Sequence, residues 1–243
     1  KRYMVGDGGY APTNLGDAVQ GLDLPSEAQA GDPWPVPEAF LDRSAVATAE
    51  NDWAGCTHVA VCDVSGQPCR SFEQGETISI FCRYAVHHDL EVAVAGVELI
   101  NDKRVIVFGK NSLQFDSDHP TLTPAGSSLR VRFDVKLDLA PGEYTFNLGF
   151  SAMSHEDFER RASLSHQELE SRNTVISILT RAGDFLVTFR SRNTTPVQLT
   201  HHGVANLPGQ ATLRLYGGDG DGDGEKREEC LRRPGGIIPP GPP

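Results

Sequence analysis

Apolar and polar residues alternate with a period of two from Ser128 to Ala152. Between residues 129 and 139 every odd position is apolar, and every even position carries Arg, Asp or Lys. Residues 143–150 alternate in the same way after a Pro141-Gly142 turn. Successive side chains of a strand point to opposite faces, so the pattern predicts two strands that each bury one face. The Pro-Gly turn between them indicates an antiparallel hairpin.

Shorter stretches on both sides of this pair are also typical of strands. They recur at a spacing of roughly 8–12 residues with turn residues between them, which predicts a β-sandwich or barrel. The further predicted strands cover residues 57–64, 76–86, 90–100, 105–109, 175–180, 185–190 and 211–216. We therefore expect an all-β fold, an antiparallel β-sandwich of the jelly-roll or immunoglobulin-like kind.

One helix is predicted after the hairpin. Ser154 is a good N-cap, and Asp157 three positions later suits both a capping box and the helix dipole. The segment from about 154 to 171 has few apolar residues, so we expect a single helix on the surface of the sandwich.

The two ends of the chain differ in composition from its centre. Residues 1–52 are rich in Gly and Pro and show no sustained period, which indicates an extended linker from a missing upstream domain. Residues 53–215 form the predicted sandwich. Residues 216–243 consist mainly of Gly, Pro and charged residues, which is typical of a flexible tail.

Charge and cysteine content narrow the classes of partner and compartment. The chain has 33 acidic and 22 basic residues and a net charge of −11, which argues against nucleic acid as a partner. It has no run of about twenty apolar residues, so we expect no direct membrane insertion, and no signal peptide is recognisable at Lys1. Five cysteines without a CxxC motif favour reduced thiols in a reducing compartment.

The Asp-rich tail matches only half of a calcium-binding loop. Asp219, Asp221, Asp223 and Gly224 have the spacing of the first half of an EF-hand loop. The twelfth position, which requires a bidentate Glu, is Cys230. A solvated tail is therefore favoured, and calcium binding is the minor alternative.

Other motifs for enzymatic or metal chemistry are incomplete. Residues 109–112 resemble the end of a phosphate loop, but Arg104 and Asn111 occupy the positions that require Gly and Ser or Thr. The pairs His87-His88 and His201-His202 would point to opposite faces of a strand, so no metal site is predicted. A glycosidase-type carboxylate pair stays open on residue types alone. We expect a non-catalytic domain without a cofactor.

The polar face of the predicted hairpin is the candidate functional surface. With a two-residue turn, Lys136 lies opposite Asn147. Gly149, which has no side chain, leaves a gap on the same face beside them. Charged and amide groups match the donors and acceptors of sugar hydroxyls, so this face is a candidate for carbohydrate binding. The alternative is an ordinary solvated sheet face with cross-strand charge pairs. The candidate carbohydrate-binding residues, including the end of a preceding strand, are Arg130, Arg132, Asp134, Lys136, Asn147, Asn111 and Gln114.

The order of several segments resembles a known family. The segments are CDVSGQPCRSFEQGETISIFCRYAV, GVELINDKRVIVFGKNSLQF, LAPGEYTFNLGFSA and LTHHGVANLPG, which lie between residues 62 and 209. The first contains an F-x-x-G-E entry formed by Phe72, Gly75 and Glu76. Over about residues 53–210 the chain resembles the C-terminal domain of Wzt-type proteins, the ATPase subunits of ABC exporters for O-antigen and related bacterial polysaccharides.

The resemblance implies a carbohydrate-binding module that recognises an exported glycan, often at a modified terminus, in lipopolysaccharide biosynthesis. It implies a homodimer, an ATPase domain upstream of the linker that contacts a transmembrane subunit, and a cytoplasmic location peripheral to the inner membrane. The chain contains no ATPase motif, and family sugar contacts are not transferred to it. The alternatives are an accessory module of a glycosyltransferase or methyltransferase acting on the same polysaccharide, and a structural sandwich that only dimerises.

Overall fold

The protein is described by a computed structural model for residues 34–45, 48–49, 51–115, 118–192, 195–196, 201 and 203–213. Contacts within the chain divide the protein into two compact units, residues 1–207 and residues 208–243. Of the second unit, residues 208–213 are described, and they form neither helix nor strand. The helices are α1 (His155–Arg160) and α2 (His166–Arg172), with 3-10 turns at Pro37–Ala39 and Arg161–Ser163. The strands are β1 (Leu41–Asp42), β2 (Thr48–Ala49), β3 (Ala54–Cys62), β4 (Ser71–Glu73), β5 (Thr77–Val86), β6 (Val92–Asn101), β7 (Ile106–Asn111), β8 (Ser128–Lys136), β9 (Gly142–Met153), β10 (Thr174–Thr188), β11 (Ser191–Arg192) and β12 (Thr195–Pro196).

Two sheets pack face to face around one core. The four-stranded sheet has the order β1-β3-β5-β8, and the six-stranded sheet has the order β2-β10-β9-β6-β7 with β4 parallel to β10. Buried side chains of both sheets form a single cluster, in which Tyr84 of β5 stacks on Phe150 of β9 with ring centroids 4.3 Å apart. The prediction of an all-β sandwich is confirmed at the level of two packed sheets.

The predicted hairpin is wrong, because β8 and β9 belong to different sheets. β8 pairs with β5, whereas β9 pairs with β6 and β10. Between them the chain crosses from one sheet to the other with Leu137 and Leu139 buried. The Tyr144 hydroxyl donates to the carbonyl of Ala140 at 2.7 Å and stabilises this crossing. Alternation predicted two strands with one buried face each, but it does not identify their partners.

The predicted single helix is two short helices. Ser165 begins α2 with a capping box, in which its hydroxyl accepts from the Glu168 N–H and the Glu168 carboxylate accepts from the Ser165 N–H. This cap lies in the middle of the predicted helix and starts a second helix after the turn at Arg161–Ser163.

The strands near the two ends also differ from prediction. The two strands predicted at 175–180 and 185–190 are one strand, β10, whose register shifts between Leu179 and Gly183. Residues 211–213 form no strand, and 214–216 lie outside the described residues. β1 lies within the predicted linker and pairs with β3, so the sandwich begins before residue 53. The compact unit that contains the sandwich ends at Leu207.

Candidate functional site

The seven predicted site residues lie on two outer faces of the sandwich. Phe133 and Val135 of β8 point into the core, so the alternate residues of β8 lie on the outer face of the four-stranded sheet. Leu148 and Phe150 of β9 are also in the core, which places Asn147 on the outer face of the six-stranded sheet. The structure therefore separates Arg130, Arg132, Asp134 and Lys136 from Asn147, Asn111 and Gln114.

Residues 34–40 cover the middle of the four-stranded sheet's outer face. Trp34 stacks on Phe40 with centroids 5.4 Å apart and meets the Phe81 ring edge-on at 5.4 Å. Ala60, Cys62 and Phe81 are buried beneath this segment. The predicted binding face is thus partly occupied by the chain's own aromatic residues.

The charged residues of β8 form a network with their neighbours. Arg132 Nε lies 2.9 Å from Asp134 Oδ1, and Arg132 also donates to the carbonyl of Val64 at 3.1 Å. Ser79 donates to the same Asp134 carboxylate at 2.6 Å. Lys136 Nζ pairs with Asp138 at 2.8 Å. These contacts are those of a solvated sheet face with charge pairs, the alternative to a carbohydrate-binding face.

The outer face of the six-stranded sheet carries a fixed amide. Asn147 lies opposite Glu98 and donates from Nδ2 to Glu98 Oε2 at 3.1 Å. Its Oδ1 accepts from the main-chain N–H of Arg181 at 2.9 Å. Arg181 has a φ of 51°, a conformation that non-glycine residues rarely adopt, at the register shift of β10. We call Glu98, Asn147 and the Arg181 N–H the polar rung.

A row without bulky side chains lies next to the polar rung. Gly96 of β6 lies directly opposite Gly149 of β9, and a side chain at Gly149 would meet no atom within 4 Å of its Cβ. Asn111 lies opposite Gly96 on one side, and Ile178, 39% exposed, lies opposite Gly149 on the other. We call this row, Asn111-Gly96-Gly149-Ile178, the glycine groove.

The two helices bound the groove on the side away from the rung. Phe158 of α1, Leu169 of α2 and Leu113 pack on three outward apolar residues of β6 and β9, namely Val92, Val94 and Met153. Gln114, beyond the end of β7, accepts from the Asn111 N–H at 2.9 Å. The groove therefore has a glycine floor, an apolar wall and a polar edge.

Sequence reasoning missed Gly96, Glu98 and Arg181. The alternation in β6 places Gly96 and Glu98 on one face, which is a detectable signal. Their proximity to Asn147 depends on the pairing of β6 with β9, which no local pattern encodes. The positive φ of Arg181 has no signature in the sequence.

Candidate metal ligands and cysteine thiols were also located in the structure. Among the residues that the structure describes, no group of three His, Cys, Asp or Glu side chains could hold a metal ion. Burial raises the pKa of Cys56 to about 12 and that of Cys62 to about 11, so both thiols are protonated at neutral pH. The Asp-rich segment 219–224 and His202 lie outside the described residues. No described helix is long and apolar enough to cross a membrane.

Two packed sheets with an open groove on one outer face define the chain as a β-sandwich with a candidate ligand-binding surface. The family model of the Wzt C-terminal domain matches residues 50–194, more than half of the chain, and the chain belongs to this family. The resemblance inferred from the sequence is thus confirmed. The family is associated with polysaccharide export by ABC transporters and with carbohydrate binding, and its domain is a binding or regulatory domain of a transporter subunit.

One solved structure of the family has the same fold. A crystal structure of the C-terminal domain of Wzt is 13% identical, with a TM-score of 0.51, and the match covers 69% of this chain and 92% of that one. A Niemann-Pick type C2 protein from the Japanese carpenter ant is 10% identical, with a TM-score of 0.30 and coverages of 61% and 98%, a similarity too low to carry an argument. No curated protein matches the sequence.

Proposed function

We propose that the glycine groove recognises a bacterial cell-surface polysaccharide, an O-antigen-like glycan bound at its terminus, for export by an ABC transporter. The observation that carries this proposal is the open Gly96–Gly149 floor directly beside the fixed amide of Asn147. Family membership supports the carbohydrate class of the ligand.

The groove offers both contacts that a sugar ring needs. The glycine floor lets one face of a sugar ring approach the backbone closely, because no Cβ projects from Gly149. Asn147 retains a second amide hydrogen and Glu98 a second carboxylate oxygen, and together they match the donor and acceptor of neighbouring hydroxyls. Ile178 at the end of the groove is exposed to an apolar edge of the ring. Since both ends of the amide are already bonded, binding costs little side-chain entropy.

We assign Asn111 and Asn147 of the seven predicted residues to this groove. The Leu113 N–H donates to Asn111 Oδ1 at 3.1 Å and orients that amide, while Gln114 accepts from the main-chain N–H of Asn111. In the same proposal the domain is a homodimer on the cytoplasmic side of the inner membrane. An ATPase domain joined through the N-terminal residues would connect it to the transmembrane subunit. The Tyr144–Ala140 hydrogen bond at the sheet crossing favours the immunoglobulin-like over the jelly-roll form of the sandwich.

Calorimetric titration with the polysaccharide of the source organism tests the assignment. Asn147→Ala removes the amide of the polar rung and is expected to weaken binding about tenfold or more. Lys136→Ala, an exposed candidate on the other sheet, is the matched control and should bind as the wild type does. If Lys136→Ala weakens binding and Asn147→Ala does not, the groove is the wrong face.

A further inference from the structure

Arg181 lies on the outer face of the six-stranded sheet, at the edge of the glycine groove. It belongs to the register shift of β10, where Leu179 and Ala182 are buried in the core and the two residues between them are exposed. Its main-chain N–H donates to Asn147 Oδ1 at 2.9 Å, and Ile178 of the groove precedes it by three residues. The Arg181 side chain therefore starts beside the groove.

The guanidinium group of Arg181 is available to a ligand. It makes no hydrogen bond, ion pair or ring contact with any residue that the structure describes. The neighbouring carboxylate on the exposed side of β10, Asp184, is instead paired with Arg70 at 3.3 Å. Arg181 thus provides a charged donor group that no described residue occupies.

The backbone that carries this side chain is held in an unfavourable conformation. A φ of 51° is sterically unfavourable for every residue with a Cβ, whereas glycine adopts it freely. The hydrogen bond to Asn147 holds the Arg181 main chain in this conformation and fixes its position relative to the groove. Strained residues of this kind cluster at functional sites, including ligand-binding sites.

The polar rung has opposite charges at its two ends. Glu98 lies two strands from Arg181, about 10 Å across the sheet. A sugar over the glycine groove therefore has a guanidinium on one side and a carboxylate on the other. Glu98 accepts from a neutral hydroxyl but repels a negative group, so an anionic sugar binds with its charge directed toward Arg181.

We propose that Arg181 binds the carboxylate of an acidic sugar residue of the glycan, such as a hexuronic acid. This assignment rests on the function proposed for the glycine groove and specifies its ligand. Guanidinium and carboxylate are both planar and pair through two parallel N–H···O bonds. A phosphate monoester carries nearly two charges and would meet stronger repulsion from Glu98. The whole chain has a net charge of −11, so the attraction is local to Arg181.

Calorimetric titration of the full chain with two forms of the source organism's polysaccharide tests the proposal. One form is native, and in the other carbodiimide activation and borohydride reduction have converted the carboxylates to primary alcohols. The wild type should bind the reduced form about tenfold more weakly, since a charge-assisted donor pair is lost. Arg181→Gln should bind both forms as the wild type binds the reduced one, because its main-chain N–H still holds Asn147.

Arg104→Gln is the matched control. Arg104 is an exposed arginine on the turn between β6 and β7, and its φ is also positive, at 61°. This variant should discriminate between the two forms as the wild type does. Arg181→Lys keeps the charge but loses the paired donors, so its preference for the native form should be smaller than that of the wild type. Without polysaccharide, all variants should have the Tm of the wild type.

The outcomes separate this inference from the proposed function. If the wild type binds both forms equally, or if Arg181→Gln still prefers the native form, the assignment of Arg181 is overturned and the groove is unaffected. If the wild type binds neither form, the function proposed for the groove fails, and this inference fails with it.

Discussion

At the scale of single residues, Gly183 and Gly149 of the six-stranded sheet differ in what an added side chain would meet. A Cβ at Gly183 would lie 2.7 Å from two atoms of the Phe146 ring, which is fully buried. A Cβ at Gly149 would lie in open space on the outer face. In the sequence Gly149 is an isolated glycine within a predicted strand, which indicates a bulge or a close approach, whereas Gly183 lies between the strands predicted at 175–180 and 185–190. Only the positions of the surrounding side chains separate a packing glycine from a groove glycine.

Gly183→Ala should destabilise the protein, because the new methyl group overlaps the Phe146 ring in a closely packed core. We expect a loss of about 1–3 kcal/mol in the free energy of unfolding, measured by urea denaturation. Gly55→Ala on β3, where a Cβ meets nothing within 4 Å, is the control and should change stability far less. Equal stability of the two variants would contradict the packing described for Phe146.

At the scale of elements, the sequence predicts strands better than their partners. The alternation in β8 and β9 correctly identifies their buried residues, because period-two burial is a local property. Their assignment to different sheets depends on long-range contacts, such as the hydrogen bond from the Gln74 side chain to the Leu139 carbonyl at 2.8 Å. The short strand β1 has no pattern to detect, since two residues cannot show a period.

The contact between α1 and α2 should depend on pH through Asp157. Burial opposes its ionisation, but hydrogen bonds from Ser154 and Arg172 prevail and lower the pKa of Asp157 below its ordinary value of 3.8. A lowered pKa in the folded state stabilises the protein above pH 4, and this stabilisation disappears as the pH falls through the folded-state pKa.

Asp157→Asn should therefore cost about 1 kcal/mol near neutral pH, since it removes the ion pair with Arg172. Denaturation midpoints measured from pH 7 to pH 3 should show the difference from the wild type shrinking as the acid range is reached. Glu156→Gln, at an exposed position of the same helix, is the control and should show little difference at any pH. A difference that grows on acidification would contradict the assignment.

At the scale of the whole molecule, the two outer faces differ in chemistry. One carries the glycine groove and the polar rung, with Glu98 as a carboxylate at its edge. The other carries the basic residues His58, Arg83 and Arg130 and the aromatic segment 34–40. The sequence predicts one polar face because it predicts that β8 and β9 pair with each other. In the structure the crossing between β8 and β9 divides that face into two. The family can be predicted from the order and spacing of segments along the chain. The binding face cannot, because its residues come together only when the strands pair into sheets.

If glycan binds in the glycine groove, filling the floor of the groove with a larger side chain should abolish binding. Gly149→Leu fills the groove without a clash within 4 Å of its Cβ, and Gly55→Leu makes the same change on the other sheet. In calorimetric titrations with the polysaccharide of the source organism, Gly149→Leu should lose detectable binding and keep its fold, while Gly55→Leu should bind as the wild type does. Wild-type affinity in Gly149→Leu would contradict the account.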